Sequence, residues 1–237
     1  TSAMAWGNQL YLLAGNELYT SQDGLSWEKV GTTKLLQLVA NVYSDEIQKI
    51  MAIDTDNHYT ESQDGINWVS YEEMPDRFPT SRLSFASYPL DTNKDIYRTV
   101  VVGDHGVASD STTVAWTQLD TDTDWTDLEA QDNANACPKL ENMTMVRYNN
   151  ELYMFGGKGQ RKGAIAPFSK IFTSKDNGIT WQTTSKNVVF PEEFQTKYEE
   201  SDGYYSSVVD ENHFIWIMWS KTGEVWRGRI NKLGFDK

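Results

Sequence analysis

Thirty-four of the 237 residues are Asp or Glu, against 21 Lys and Arg, so carboxylates are where chemistry would first be sought. Two of them suffice for a retaining or inverting glycosidase, yet no spacing in the sequence selects a pair. Asp23, Asp64 and Asp176 recur at equivalent points of a repeated segment, and residues repeated in that way cannot converge on one catalytic centre. The run Asp120-Thr-Asp-Thr-Asp124 alternates like a calcium loop, but Trp125 stands where Gly is needed and Gln131 where Glu is needed. It reads as a solvated acidic loop. His58, His105 and His213 lie far apart, without metal-ligand spacing, and read as ordinary loop or edge histidines. Gly156-Gly-Lys-Gly159 lacks the Ser or Thr and the helix that follow in a phosphate-binding loop, so it reads as a tight turn after a strand. Cys137 is the single thiol, which excludes an intrachain disulfide or a cysteine zinc site. No metal or cofactor is expected.

The elements that carry these residues repeat along the chain. Leu18-Tyr-Thr-Ser-Gln-Asp-Gly-Leu-Ser-Trp27 returns as His58-Tyr-Thr-Glu-Ser-Gln-Asp-Gly-Ile-Asn-Trp68 and again as Ile171-Phe-Thr-Ser-Lys-Asp-Asn-Gly-Ile-Thr-Trp181. The shared part is an Asp box: Ser21, Asp23, Gly24 and Trp27; Ser62, Asp64, Gly65 and Trp68; Ser174, Asp176, Gly178 and Trp181. A worn fourth copy is read at 109–116, closed by Trp116, and a fifth aligns Val225 and Trp226 with Ile171 and Phe172, and Phe235 with Trp181. Two strand-like runs precede each copy: 3–6 and 9–14, 36–42 and 49–53, 83–88 and 97–102, 143–148 and 151–155, 205–209 and 214–219. They are short, β-branched or aromatic, and bounded by Asn, Asp or Gly.

Each unit therefore reads as four antiparallel strands with the box at the last turn. The fold class is all-β: a β-propeller of four-stranded antiparallel blades with five repeats, at about 1–34, 35–78, 79–130, 131–198 and 199–237 of one domain, 1–237. Only two residues follow Phe235, so the last outer strand is expected to come from residues upstream of Thr1, with a sixth blade if one is missing there. In the box, the Ser and Asp oxygens accept turn N–H groups, Gly supplies positive φ, and the Trp packs between sheets.

Function usually resides in long loops on a rigid scaffold. Insertions fall at 71–81, 120–141, 184–204 and 156–169, all expected on the face opposite the boxes, against one at 89–95 on the box face. They carry the candidate ligand-binding residues Trp125, Lys158, Arg161, Lys162, Tyr198 and Tyr204. Aromatic platforms with polar neighbours suit a sugar or a peptide.

Composition narrows the partners. A net charge of −13 and a pI of about 4.6 argue against nucleic acid and against insertion into an anionic membrane. No apolar run approaches the roughly 20 residues of a membrane-spanning helix. Nine Trp and 13% aromatics set the chain apart from disordered sequences. The first residues show no signal-peptide pattern, as a processed fragment of an exported protein also would not. A monomer is expected.

Two stretches carry a resemblance. One is Leu152-Tyr-Met-Phe-Gly-Gly-Lys-Gly159 with Ala166-Pro-Phe-Ser169 and the box after it. The other is Asp210-Glu-Asn-His-Phe-Ile-Trp216 with Gly223-Glu-Val-Trp-Arg-Gly-Arg-Ile-Asn-Lys-Leu-Gly-Phe235. Together they resemble the C-terminal propeller, a domain of unknown function, of an uncharacterised family of gut Bacteroidetes surface lipoproteins. That resemblance implies an extracytoplasmic place, at the outer-membrane surface or in the periplasm, through a lipid anchor in the parent protein. It implies no activity. Sialidase-like propellers share the Asp box, but a sialidase needs an Arg triad opened by Arg-Ile-Pro, and that signature is missing. The sequence thus reads as a non-enzymatic binding module for a glycan or protein. A glycoside hydrolase-like enzyme with an unconventional carboxylate pair is the alternative.

Overall fold

A computed structural model describes residues 2–43, 48–79, 81–90, 93, 95–105, 112–122, 124–128, 137–138, 141–161, 164–167, 170–184, 190, 194, 205–219 and 223–230. The fold is all-β, in five antiparallel sheets that follow one another along the chain. The first holds β1 (Ser2–Trp6), β2 (Gln9–Ala14), β3 (Glu17–Ser21) and β4 (Glu28–Thr32), in that order. The second holds β5 (Leu35–Tyr43), β6 (Gln48–Asp54), β7 (His58–Ser62) and β8 (Val69–Glu73). The third holds β9 (Ser81–Pro89), β10 (Tyr97–His105), β11 (Thr112–Leu119) and the two-residue β12 (Thr126–Asp127). The fourth runs β13 (Glu141–Tyr148), β14 (Glu151–Arg161), β16 (Phe172–Ser174) and β17 (Gln182–Thr183), with β15 (Ala164–Pro167) pairing the far end of β14. The fifth has three described strands, β18 (Tyr205–Val209), β19 (Ile215–Trp219) and β20 (Val225–Gly228).

Sequential pairing follows from short connections between strands of alternating burial. In β2, Tyr11 and Leu13 are buried while their neighbours are half exposed. The inward set then continues across the register through Met4 and Thr20. The central strands β6 and β10 are buried on both faces, and they read as near-continuous apolar runs.

The chain divides into two compact units. One comprises Thr1–Asp76 with Ser87–Thr99 and Gln118–Asp124; its core includes Leu13, Leu18, Leu38, Ile50 and Ile53. The other comprises Arg77–Ala86, Val100–Thr117 and Trp125–Lys237, with an aromatic-rich core around Tyr148, Tyr153, Phe155, Phe194 and Trp219.

Within each unit, the first strands of successive sheets are joined through small hydroxyls. Leu38 N donates to Ser2 Oγ at 2.9 Å. Met145 N donates to Ser84 Oγ at 2.8 Å, and that hydroxyl donates to Met145 O at 3.1 Å. The hydroxyls of Thr144 and Ser207 share a hydrogen bond of 2.6 Å. Ser84→Ala leaves the amide of a buried residue without its partner, so it should cost about 1–2 kcal/mol in urea unfolding. Ser206→Ala, at an exposed position of β18, should stay within about 0.5 kcal/mol.

Candidate functional site

The three Ser-Asp-Gly-Trp turns close by side-chain acceptance. Ser21 Oγ accepts Gly24 N at 2.8 Å, and Asp23 Oδ1 accepts Leu25 N and Ser26 N at 2.8 Å each. Asp64 Oδ1 accepts Ile66 N at 2.8 Å and Asn67 N at 2.7 Å, while Ser62 Oγ accepts Gly65 N at 2.8 Å. Asp176 takes the Thr180 amide at 2.9 Å and its hydroxyl at 2.6 Å, and Ser174 Oγ accepts Gly178 N at 2.8 Å. The glycines sit at φ of 73°, 73° and 91°, the left-handed region that Gly enters freely. Trp27 and Trp181 donate from Nε1 to the carbonyls of Gly24 and Gly178. The Trp68 Nε1 instead is buried, with no acceptor among the described residues.

Two of these turns are also where a sheet meets the sheet before it. A Cβ on Gly65 would lie 2.3–2.5 Å from the Tyr11 ring of β2. One on Gly178 would lie 3.1 Å from Leu128 and 3.2 Å from Val100 of β10. Gly24 meets only Leu10 of its own sheet, at 3.4 Å. Trp27 is accordingly 39% exposed rather than packed between sheets, whereas Trp181 is buried.

The third turn is not where the sequence suggested. Trp116 lies inside β11, the third strand of its sheet, and cannot close a turn. Trp125 immediately precedes β12, as Trp27, Trp68 and Trp181 precede the fourth strands of their own sheets. The worn copy is therefore 118–125, with Gln118, Asp120 and Asp122 in the places of Ser174, Asp176 and Gly178. Trp125 is 8% exposed and packs edge-on against Phe78, 5.0 Å between centroids, so it offers no surface platform. Asp122 and Asp124 are exposed, but both oxygens of Asp120 are buried with no partner among the described residues.

Several other described carboxylates are tied down. Tyr19, Tyr59 and Tyr153 donate their hydroxyls to Glu17, Glu61 and Glu151, two residues away in each case. Lys29 pairs Glu17 and Lys49 pairs Glu61. Burial, then the Glu61 charge, push the Tyr59 phenol far above its ordinary value. Asp54 Oδ1 accepts Asp56 N and His58 N at 2.9 Å each, and Asp210 Oδ1 accepts Asn212 N at 2.9 Å and Phe214 N at 2.8 Å. Among the described residues, every carboxyl with a displaced titration is held low: Glu17, Asp23, Asp54, Asp64, Asp176 and Asp210. A general acid needs the opposite shift. Asp54, Asp56 and His58 bring ligand atoms within 4.8 Å of one another, but the Asp54 lone pairs already hold the β6–β7 turn.

Of the expected ligand residues, Lys158 is half-buried on β14, opposite Glu141, and Arg161 ends that strand, opposite Ala164. Lys162, Tyr198 and Tyr204 lie outside the described residues. Gly156 and Gly157 form no turn. They lie inside β14 at φ of 85° and 82°, where β14 passes from pairing β16 to pairing β15. Within the expected loop at 156–169, residues 158–161 and 164–167 are thus paired strands of the fourth sheet.

Sequence reasoning missed a cation–aromatic array on the fifth sheet. The Arg227 guanidinium lies 4.6 Å from the Phe214 ring centre and 5.4 Å from that of Trp216, and Arg229 lies 3.9 Å from Phe214. Arg229 donates to Asn212 O at 2.8 Å, and Trp216 Nε1 donates to Asp210 Oδ2 at 2.7 Å. The available signal was Arg227 and Arg229 two residues apart, one in a strand and one just past its end.

Residues 1–237 match the family model described as the DUF6242 beta propeller domain. No curated protein matches the chain. Among solved structures it is similar to an endo-1,4-beta-xylanase from Bacteroides thetaiotaomicron at 13% identity and TM-score 0.48, over 95% of this chain and 92% of that one. A thermostable family-43 glycoside hydrolase gives 12% and 0.46, over 91% and 81%. YCF48 bound to D1 peptide gives 14% and 0.46, over 97% and 78%. Likenesses of that degree carry no argument about activity.

Proposed function

The chain belongs to the DUF6242 β-propeller domain family, and we propose that it is a non-enzymatic binding module for an anionic glycan or protein. One observation carries this reading. From 152 to 175 the chain has no acidic residue but five cations, Lys158, Arg161, Lys162, Lys170 and Lys175, although 34 acidic residues occur in the whole. In the middle of that stretch, residues 158–161 of β14 pair with 164–167 of β15. A local positive field on an otherwise negative surface draws in and orients an anionic partner. The rigid sheet beneath suits recognition without chemistry, since every described carboxyl with a displaced titration is held low, opposite to a general acid. Resemblance to gut Bacteroidetes surface lipoproteins supports a place outside the cytoplasm, reached through a lipid anchor in the parent protein.

Arrays of sulfated and uronate-bearing glycans, alongside immobilised acidic proteins, test this reading. Lys158→Ser with Arg161→Ser should weaken the retained ligand tenfold or more, about 1.4 kcal/mol. A substitution at Asn93, in the 89–95 insertion, should not. Release of new reducing ends from a glycan that the chain binds would favour the hydrolase alternative. Retention unchanged by the hairpin substitutions would refute the assigned surface.

A further inference from the structure

The two faces of the fifth sheet differ in a way the binding hairpin does not explain. Ile215, Ile217 and Trp219 point into the aromatic core, with Val209 and Trp226 packed beside them. The register places Val208, Trp216 and Arg227 in one row of the opposite face, and Ser206, Met218 and Val225 in the next. On that face Val208 is 60% exposed, Met218 46% and Val225 54%. Scattered surface aliphatics need no explanation, but a contiguous exposed set on one sheet face marks an interaction site.

Cations border the set. Arg227 and Arg229 are exposed, and the Phe214 and Trp216 rings hold their guanidinium groups in place. Among the described residues neither makes an ion pair closer than 4 Å. Arg229 already gives one nitrogen to Asn212 O, but a guanidinium stacked on an aromatic still has further N–H groups for a carboxylate and loses little entropy in gripping one. Three aliphatic side chains, by contrast, give nothing to the hydroxyls of a sugar and would desolvate them without compensation.

We propose that this face docks a protein segment in which aliphatic residues alternate with Asp or Glu: the aliphatics lie over Val208, Met218 and Val225, and the carboxylates reach Arg227 and Arg229. The proposal does not depend on the hairpin, which is on another sheet.

The test is selection of random peptides of about twelve residues, displayed on phage, against the immobilised chain. Selected peptides are then titrated by fluorescence anisotropy. Enrichment of aliphatic residues with Asp or Glu is expected. Met218→Ser with Val225→Thr, and separately Arg227→Ser with Arg229→Ser, should each weaken binding at least tenfold. Raising salt from about 0.05 to 0.3 M should weaken it further. These positions are exposed, so melting should be nearly unchanged. Bound peptide should also shield Met218 from peroxide. Basic or purely polar peptides, or affinities indifferent to both pairs of substitutions, would overturn the proposal. So would Met218 already shielded in the chain alone, which would mean the chain covers its own face. Self-association abolished by Met218→Ser, or glycan binding lost with Arg227→Ser, would assign the face to those occupants instead.

Discussion

Gly65→Ala should lower stability by about 3 kcal/mol or more and the melting temperature by roughly 6–12 °C. Two costs act together. The residue sits at φ +73°, where an L side chain is strained by about 1–2 kcal/mol. The added Cβ would also stand 2.3–2.5 Å from Cε1, Cζ and Oη of Tyr11. Tyr11 is 3% exposed, so its ring has little room to retreat. Gly15→Ala separates the two costs, because Gly15 has φ +64° and nothing within 4 Å of its Cβ position. It should show the conformational cost alone. In a Tyr11→Leu background the clash is relieved, so Gly65→Ala should cost at least about 1 kcal/mol less than in the native chain. Equal costs in both backgrounds would remove the ring contact from the account.

The same contact explains what the sequence could and could not disclose. Alternating apolar residues, with Asn, Asp and Gly between them, were enough to place the two leading strands of all five sheets. The repeated Ser, Asp, Gly and Trp placed three turns, because each residue there has one physical task and few substitutes. The third turn was illegible. Gln118 and Asp122 replace the Ser and Gly, so the eye falls on Ser109 and Trp116 upstream, and Trp125 passes for a loop aromatic. Gly156-Gly-Lys-Gly looks like a turn because positive φ usually ends a strand, yet here it only redirects one. Which face of β19 and β20 stays uncovered is a tertiary fact: Ile215, Trp216, Ile217, Met218 and Trp219 are all apolar, so no alternation marks it. The Tyr–Glu pairs were hidden for a plainer reason, since a spacing of two carries meaning only once the strand is known.

Acid should unfold the chain steeply, and the turn aspartates should set where. Amides of Ser26 and Leu25 hold Asp23 below its ordinary range, and the Asn67 amide, its side chain and the Ile66 amide do so for Asp64. At Asp54 and Asp176 burial pushes the carboxyl up. Donors from His58, Asp56 and Ser70 at the first, and from Thr180 and Ser174 at the second, outweigh it. Asp210 is lowered first by Trp216 Nε1 and then by the Phe214 amide. Each folded value thus lies below the about 3.9 of an unfolded Asp. As pH falls into that range the unfolded chain takes up protons that the folded chain refuses, and stability drops. The contribution is complete above the unfolded pKa and disappears as pH passes down through the folded one. Urea midpoints should therefore be level from about pH 7 to 5 and fall sharply below about 4. Asp176→Ala strands the Thr180 amide and should cost about 1–3 kcal/mol at pH 7. Asp64→Asn with Asp176→Asn keeps an acceptor oxygen but cannot be protonated in this range. That variant should start lower on the plateau and descend less steeply in acid. Parallel midpoint curves for the variant and the native chain would show that other groups drive the acid transition. Peptide and glycan binding by the Asp64 and Asp176 variants, measured at pH 7 on whatever fraction remains folded, should not change, because neither residue belongs to either proposed surface.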